Sequence, residues 1–240
     1  PVVVESVGLI TGLDDTGSDP PPSSERAELL GEMQTRGVLQ PNHVLASPST
    51  AIVLVRGYLR PGIQKGDRFD VEVRVPSRSE TSSLRDGWLM QARLRERRLF
   101  GSQIHDGTLL ALCEGPILVS PNADDSGDEV LANRGRILGG GVALKSRPLQ
   151  LVMTPGHRDV RVVDQISKSL NRRFHTFSKG IKEGVATGKT DQYIELVVHP
   201  RYKDNIARYM QVVRSVPLHE SPTEREMNLK LLKHQLLDPV

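Results

Sequence analysis

A chain of 240 residues and 26.5 kDa is long enough to bury a real core, as one large domain or two small ones. Its 32 bases nearly balance its 29 acids, and no basic stripe or aromatic platform accompanies the pI of about 9.1, so a nucleic-acid binder is not indicated. No apolar run reaches the roughly eighteen residues that span a bilayer, and the single cysteine, Cys113, excludes an intrachain disulfide.

PVVVESVGLITGL predicts a strand and then a turn. The stretch at residues 7–19, VGLITGLDDTGSD, crowds Gly8, Gly12 and Gly17 among Asp14, Asp15 and Asp19. After the breaker DPPPSS, Ser24 reads as an N-cap with Glu25 and Glu28 in the first turn. Ala27, Leu30 and Met33 follow at helical spacing and Gly37 ends the helix, placing it near 24–37. STAIVLVRGYL is β-rich. RFDVEVRV alternates, with Phe69, Val71, Val73 and Val75 on one face. SRSETSSLRDG is a polar loop, and GWLMQARLRERRLF and TLLALCEGPILVS are further strands. Within the latter, Cys113 reads as a buried, inert thiol. PNADDSGDE is an acidic loop and GRILGGG a second glycine cluster.

From about residue 142 the pattern changes. VALKSRPLQLVM reads as a strand. Val163, Ile166, Leu170 and Phe174 mark a helix capped by Asp159; YIELVVHP is a strand, and Asp204 caps a helix carrying Ile206, Tyr209, Met210 and Val213. That is a β-α-β-α unit of split-sheet type. Ser221-Pro222-Thr223-Glu224 is a capping box that opens a helix with Met227, Leu229, Leu232 and Leu236. Its unmatched leucines suggest that the natural chain continues. The expected fold class is therefore α+β: a sheet-rich region over 1–141 with one helix, a β-α-β-α module over 142–220, and a capped helix over 221–240 that starts a C-terminal extension.

The motifs that promise chemistry fail on inspection. Gly12 and Gly17 have Walker spacing, but Ser18-Asp19 stands where Lys-Ser/Thr belongs, and the aspartates would repel a phosphate. GVATGKT, residues 184–190, has its first glycine too close and leaves a helix for a strand, so it reads as a helix-to-strand turn. Asp14-Asp15 lacks a pocket that would split two pKa values and reads as a solvated turn. Asp124, Asp128 and Glu129 could hold calcium but lack EF-hand spacing. The seven histidines are scattered, with no zinc spacing, and no serine sits in a GxSxG elbow. No nucleophile, base and orienting group assemble even in outline, so neither catalysis nor a cofactor is expected. RLRERR puts Arg93, Arg95 and Arg97 on one strand face, either as a sheet edge blunted by charge or as a patch for an acidic protein partner.

Taken together, the blocks have a collinear counterpart. VGLITGLDDTGSD resembles the glycine-aspartate stretch of the flagellar P-ring protein family, and LGEMQTRGV resembles that family's next helix. STAIVLV, RPGIQKGDRFDVEVRV, SSLRDGWLMQARL, DGTLLALCEGPI and GRILGGGVALKSRPLQLVM are similar to its following blocks. VVDQISKSLNRRF and YIELVVHPRYKDNIARYMQVVRSVPL complete the series, over roughly residues 2–220. The resemblance implies a structural protein of the bacterial envelope, made with a signal peptide in its precursor and exported to the periplasm. There it implies a homo-oligomeric ring that surrounds the flagellar rod as a bushing, meets the outer-membrane ring proteins and touches peptidoglycan. On this reading Gly8, Gly12, Asp14 and Gly17 form a structural turn whose glycines serve φ > 0 or close backbone approach. Where family members carry two rod-facing lysines, this chain has Pro48 and Ser82. Arg78 and Arg85 lie near the second position and could substitute, and the inserted RERR, with Arg95, Arg97 and Arg98, could supply the same charge. The family's usual C-terminal region has no counterpart, and the helix after residue 221 is foreign to it. The alternative is a secreted, non-catalytic binding module with the same fold that recognises an acidic protein or a wall polymer.

Overall fold

The computed structural model describes residues 1–100, 103–121, 129–218 and 222–237. The acidic loop with Asp124 and Asp128, the Glu129 side chain and the predicted cap Ser221 lie outside the described residues. The chain forms two compact units, Pro1–Ser146 and Arg147–Val240.

In the first unit, β1 (Val2–Thr11), β2 (Ala51–Leu59), β3 (Arg68–Arg74), β4 (Trp88–Phe100), β5 (Gln103–Pro116), β6 (Leu118–Val119) and β7 (Arg134–Ala143) build one antiparallel sheet. Its order is β3-β2-β1-β4-β5-β7-β6, and a further pairing of β3 with β7 closes it into a barrel. The two faces of each strand set which side chains point inward. Val4 and Ile10 of β1, Val53 and Val55 of β2, Val71 and Val73 of β3, Leu89 and Leu94 of β4, and Ala111 and Cys113 of β5 fill the interior with Ile137. RLRERR does not form a sheet edge, because β4 is paired to β1 on one side and β5 on the other. The glycine cluster GRILGGG is part of β7, where Gly139 (φ 59°) forms a bulge whose N–H donates to Asp70 at 2.8 Å.

Two helices cover the outside of β1 and β2. α1 (Ser24–Thr35) and α2 (Pro41–Leu45) bury Leu29, Met33 and Leu45 against Val7 and Ile52. The cap of α1 is Ser23, not Ser24: Ser23 is extended and its hydroxyl accepts from the Arg26 N–H at 3.1 Å, while Ser24 is already helical. Ala27 faces solvent, and Leu29 takes the core position expected of it. Gly37 does end the helix, at φ 77°, with Val38 N–H bonded to the Met33 carbonyl and Gly37 N–H to that of Gln34. The sequence pattern does not announce α2 or the short α3 (Glu129–Ala132).

The second unit has a three-stranded antiparallel sheet in the order β11-β12-β8, with β8 (Leu149–Val152), β11 (Ala186–Gly188) and β12 (Tyr193–Leu196). α4 (Val160–Arg173) and α5 (Ile206–Arg214) pack their apolar faces into its core: Val163, Leu170, Tyr209 and Val213 join Leu149, Ile194 and Leu196. The β-α-β-α frame is present, with Asp159 capping α4 through its carboxylate. Three details differ from the sequence reading. VALKSRPLQLVM is two strands, because Val142–Ala143 end β7 and only Leu149–Val152 form β8. Asn205, not Asp204, caps α5, its Oδ1 accepting from the Arg208 N–H at 2.9 Å. GVATGKT is not a helix-to-strand turn: a hairpin of β9 (His175–Ser178) and β10 (Ile181–Gly184) follows α4, and Ala186–Gly188 is a strand. Asn171 of α4 holds that strand, its amide donating to the Ala186 carbonyl and accepting from the Ala186 N–H, both at 2.8 Å. The last helix is α6 (Pro222–Leu237), with Met227, Leu229 and Leu231 exposed.

Candidate functional site

Residues 7–19, VGLITGLDDTGSD, fasten three loops of the barrel together. Gly8 stays inside β1, facing the interior, where a Cβ would meet Leu89 at 2.8 Å and Val55 at 2.9 Å. The turn starts at Gly12, whose φ of 79° excludes most side chains, and passes the exposed Asp14 and Asp15 (φ 54°). Next, Gly17 N–H donates to the Pro48 carbonyl at 2.8 Å, and a Cβ there would overlap the Thr50 carbonyl oxygen. One residue earlier, the Thr16 carbonyl accepts from the Ser82 N–H at 3.0 Å, and the Thr16 hydroxyl donates to the Ser83 carbonyl at 2.9 Å. The two positions where the family resemblance leads one to expect lysines, Pro48 and Ser82, are thus held by adjacent residues of one turn.

A triangle of hydroxyls reinforces this clasp: Ser18 to Ser79 at 3.1 Å, Ser18 to Thr81 at 3.1 Å, and Ser79 to Thr81 at 2.9 Å. Asp19 closes it. Its carboxylate takes both Arg26 donors at 2.9 Å, and Arg26 also donates to Asn42 of α2 at 3.2 Å. The hydrogen bond to Asp19 raises the Arg26 pKa further above its ordinary value. The aspartate that rules out a phosphate loop therefore staples the turn to both helices.

The arginines divide into two places. Arg78 and Arg85 are exposed on the loop joining β3 to β4, beside the clasp. The RLRERR run points away from them along β4. Between Trp88 and Arg97 the strand covers roughly 30 Å at about 3.3 Å per residue, so the inserted arginines do not stand in for charge near Ser82. Two of them are held by α1 instead. Arg97 Nη2 reaches both Glu28 oxygens at 2.6 Å, and Arg93 pairs with Glu32 at 3.4 Å. Arg95 donates to the Gly107 carbonyl at 3.5 Å, and the Arg98 side chain lies outside the described residues.

Burial pushes the Cys113 thiol from an ordinary 9.0 up to about 12, which makes it inert at neutral pH. Among the described residues, no group of three His, Cys, Asp or Glu could hold a metal ion. No helix among them is long and apolar enough to cross a membrane, which says nothing of strands.

Sequence reasoning missed the clasp's partners. Ser18, Ser79 and Thr81 are ordinary loop residues whose meeting depends on a chain separation of some sixty residues. The excess of Ser and Thr in SRSETSS was the available signal.

The sequence profile described as flagellar P-ring protein matches residues 4–227, which takes in both compact units and reaches Met227 inside α6. No curated protein sequence matches the chain. The profile describes a structural family, the periplasmic P-ring component of the flagellar basal body. With 4–227 of its 240 residues matched, this chain belongs to the flagellar P-ring protein family.

Proposed function

We propose that this chain is the repeating subunit of a closed homo-oligomeric ring that surrounds the flagellar rod as a bushing. The observation that carries the reading is the family match over residues 4–227. A single-chain subunit that closes a ring must present two different faces for head-to-tail contacts. A bushing must also present a rigid surface that does not grip. The clasp supports this second requirement: its loops are fixed by backbone and hydroxyl hydrogen bonds, so Arg78 and Arg85 stand on a stiff support. Exposed ionic contacts contribute about 0.2–1 kcal/mol each, enough to centre an acidic rod and too little to lock it. Outer-membrane ring proteins and peptidoglycan are the further contacts of this reading, and export by a cleaved signal peptide is its route.

A second reading is favoured by one observation. Proline and serine occupy positions 48 and 82, where rod-facing lysines are expected. A secreted, non-catalytic module that keeps the fold and recognises an acidic protein or a wall polymer would not need them.

Sedimentation of the purified protein with isolated rods, across ionic strength, tests the bushing. Co-sedimentation that falls as salt shortens the Debye length from about 10 Å at 0.1 M to about 3 Å at 1 M is the expected result. Association that ignores salt, or none with rods and some with peptidoglycan sacculi, would overturn it in favour of the second reading.

A further inference from the structure

The outer wall of the barrel carries charge in rows across β1, β2, β3 and β7. In one row, Glu5, Arg56, Glu72 and Arg136 are register partners of alternating sign. They pair off: Arg56 with Glu5 at 2.6 Å and Arg136 with Glu72 at 3.5 Å. The carboxylate of Glu5 raises the Arg56 pKa above its ordinary value. The next row on the same face breaks the pattern. Leu54, Arg74 and Arg134 are its register partners, so two exposed guanidinium side chains stand directly opposite one another. Like charges at such a position destabilise a sheet, and among the described residues neither forms an ion pair.

A cleft of about 630 Å³ opens over this pair, between β3, β7 and the start of α1. Ser77 and Ser79 of the clasped loop line one wall, and Asn133 lines the floor. Asn133 Oδ1 is buried and accepts no hydrogen bond among the described residues. The carboxylate at the rim, Glu25, is turned to its own helix end: the backbone there and Ser23 hold its pKa below the ordinary range, and Ser24 donates to it at 3.1 Å.

We propose that this cleft docks an acidic peptide segment of a protein partner. The reading rests on the proposed role of the chain as a ring subunit that meets acidic protein, and it names the surface. Two guanidiniums in register, without an ion pair among the described residues, suit carboxylates, which they can take in forked, charge-assisted hydrogen bonds. A peptide segment suits a cleft of about 630 Å³ and can set a side-chain carboxylate on each guanidinium. The barrel sacrifices stability at Arg74 and Arg134, as a surface kept for a partner does.

The test uses the full chain and a fluorescein-labelled hexaglutamate peptide, read by fluorescence anisotropy at low ionic strength, with inorganic pyrophosphate as competitor. Arg74→Gln and Arg134→Gln should each weaken peptide binding about tenfold. Their melting temperatures should hold or rise, because each removes one of two like charges; this separates lost binding from lost folding. Arg172→Gln, on the second unit, should change nothing. Wild-type protein that does not bind the peptide, binding unchanged in both arginine variants, or pyrophosphate that outcompetes the peptide at equal concentration would each overturn the proposal. The outcome is independent of the ring role. Peptide binding through Arg74 and Arg134 in a protein that forms no collar in cells would sink the ring alone, and a collar without such binding would sink the cleft alone.

Discussion

The two units of this chain reach order by different means. The first closes a sheet on itself, so its constraints are backbone constraints: where strands meet, where a carbonyl needs a neighbour's N–H, where a Cβ has no room. The second packs two amphipathic helices on a small open sheet, so its constraints are side-chain ones. Tyr209 is fully buried, makes edge-on contact with Phe174 at 5.1 Å between ring centroids, and donates to the Val197 carbonyl at 3.1 Å. The difference teaches where function can be placed. A barrel with locked loops offers rigid exposed positions, and the candidate binding features, the clasp and the arginine cleft, both lie on it.

The largest test of the contrast is Tyr209→Ala. Removing a fully buried aromatic should cost about 3–5 kcal/mol, and amide exchange should speed up over α4, β12 and α5 while the barrel strands keep their protection. Tyr209→Phe should lose only the hydrogen bond, about 1 kcal/mol. Equal losses from both variants would mean that the ring packs poorly and the hydroxyl dominates.

Gly17→Ala asks the converse question of the barrel. One methyl group against the Thr50 carbonyl should cost about 2–4 kcal/mol, and amide exchange should accelerate at Leu13, Thr50 and Ser82, whose N–H groups lie in the joined loops. Gly12→Ala, with open space around its Cβ but φ of 79°, should cost about 1 kcal/mol, the strain of the backbone alone. The two swapped in order would mean that the clasp is not a close contact.

Alkaline pH distinguishes the units by a smaller effect. Cys113 in the barrel has its pKa raised by burial to about 12, so its contribution is fully present below about pH 9 and is lost as pH rises toward 12. Tyr209 is likewise raised by burial above its ordinary 10.0, and the second unit loses stability as pH climbs past that value. Denaturant melts should show the barrel weakening first, and Cys113→Ala should abolish that early slope. An unchanged slope in the variant would remove the thiol as its cause.

The smallest effect belongs to the pair joining α1 to β4. A double-mutant cycle on Glu28→Ala and Arg97→Ala should give a coupling of about 0.5–1 kcal/mol, reduced at high salt. No coupling would return the arginine run to its reading as a patch held for a partner.

Legibility followed the same division. The alternation of RFDVEVRV and the helical spacing of Val163, Ile166 and Leu170 are local periodicities, and they located β3 and α4 directly. Closure is non-local. Nothing within RLRERR says that β1 and β5 flank it, so a strand with charged residues reads as an edge. Glycines mislead for a related reason. GRILGGG reads only as a glycine cluster by composition, but in β7 those glycines make room for side chains such as Phe69, which stands within 2.6 Å of where a Gly141 Cβ would be. Caps slipped by one residue at Ser23 and Asn205, since in each case the residue beside the true cap can also cap. Of the candidate site, the turn was visible through Gly12 and Gly17. Its partners were not, because Pro48, Ser82 and the Arg74–Arg134 pair meet only in register.

The most direct test of the central claim is electron cryotomography of the cells that carry this gene, with and without it. The account predicts a periplasmic collar around the flagellar rod that disappears in the deletion and returns when the gene is restored. A collar that persists without the gene would contradict the ring role and leave the fold to the secreted binding module.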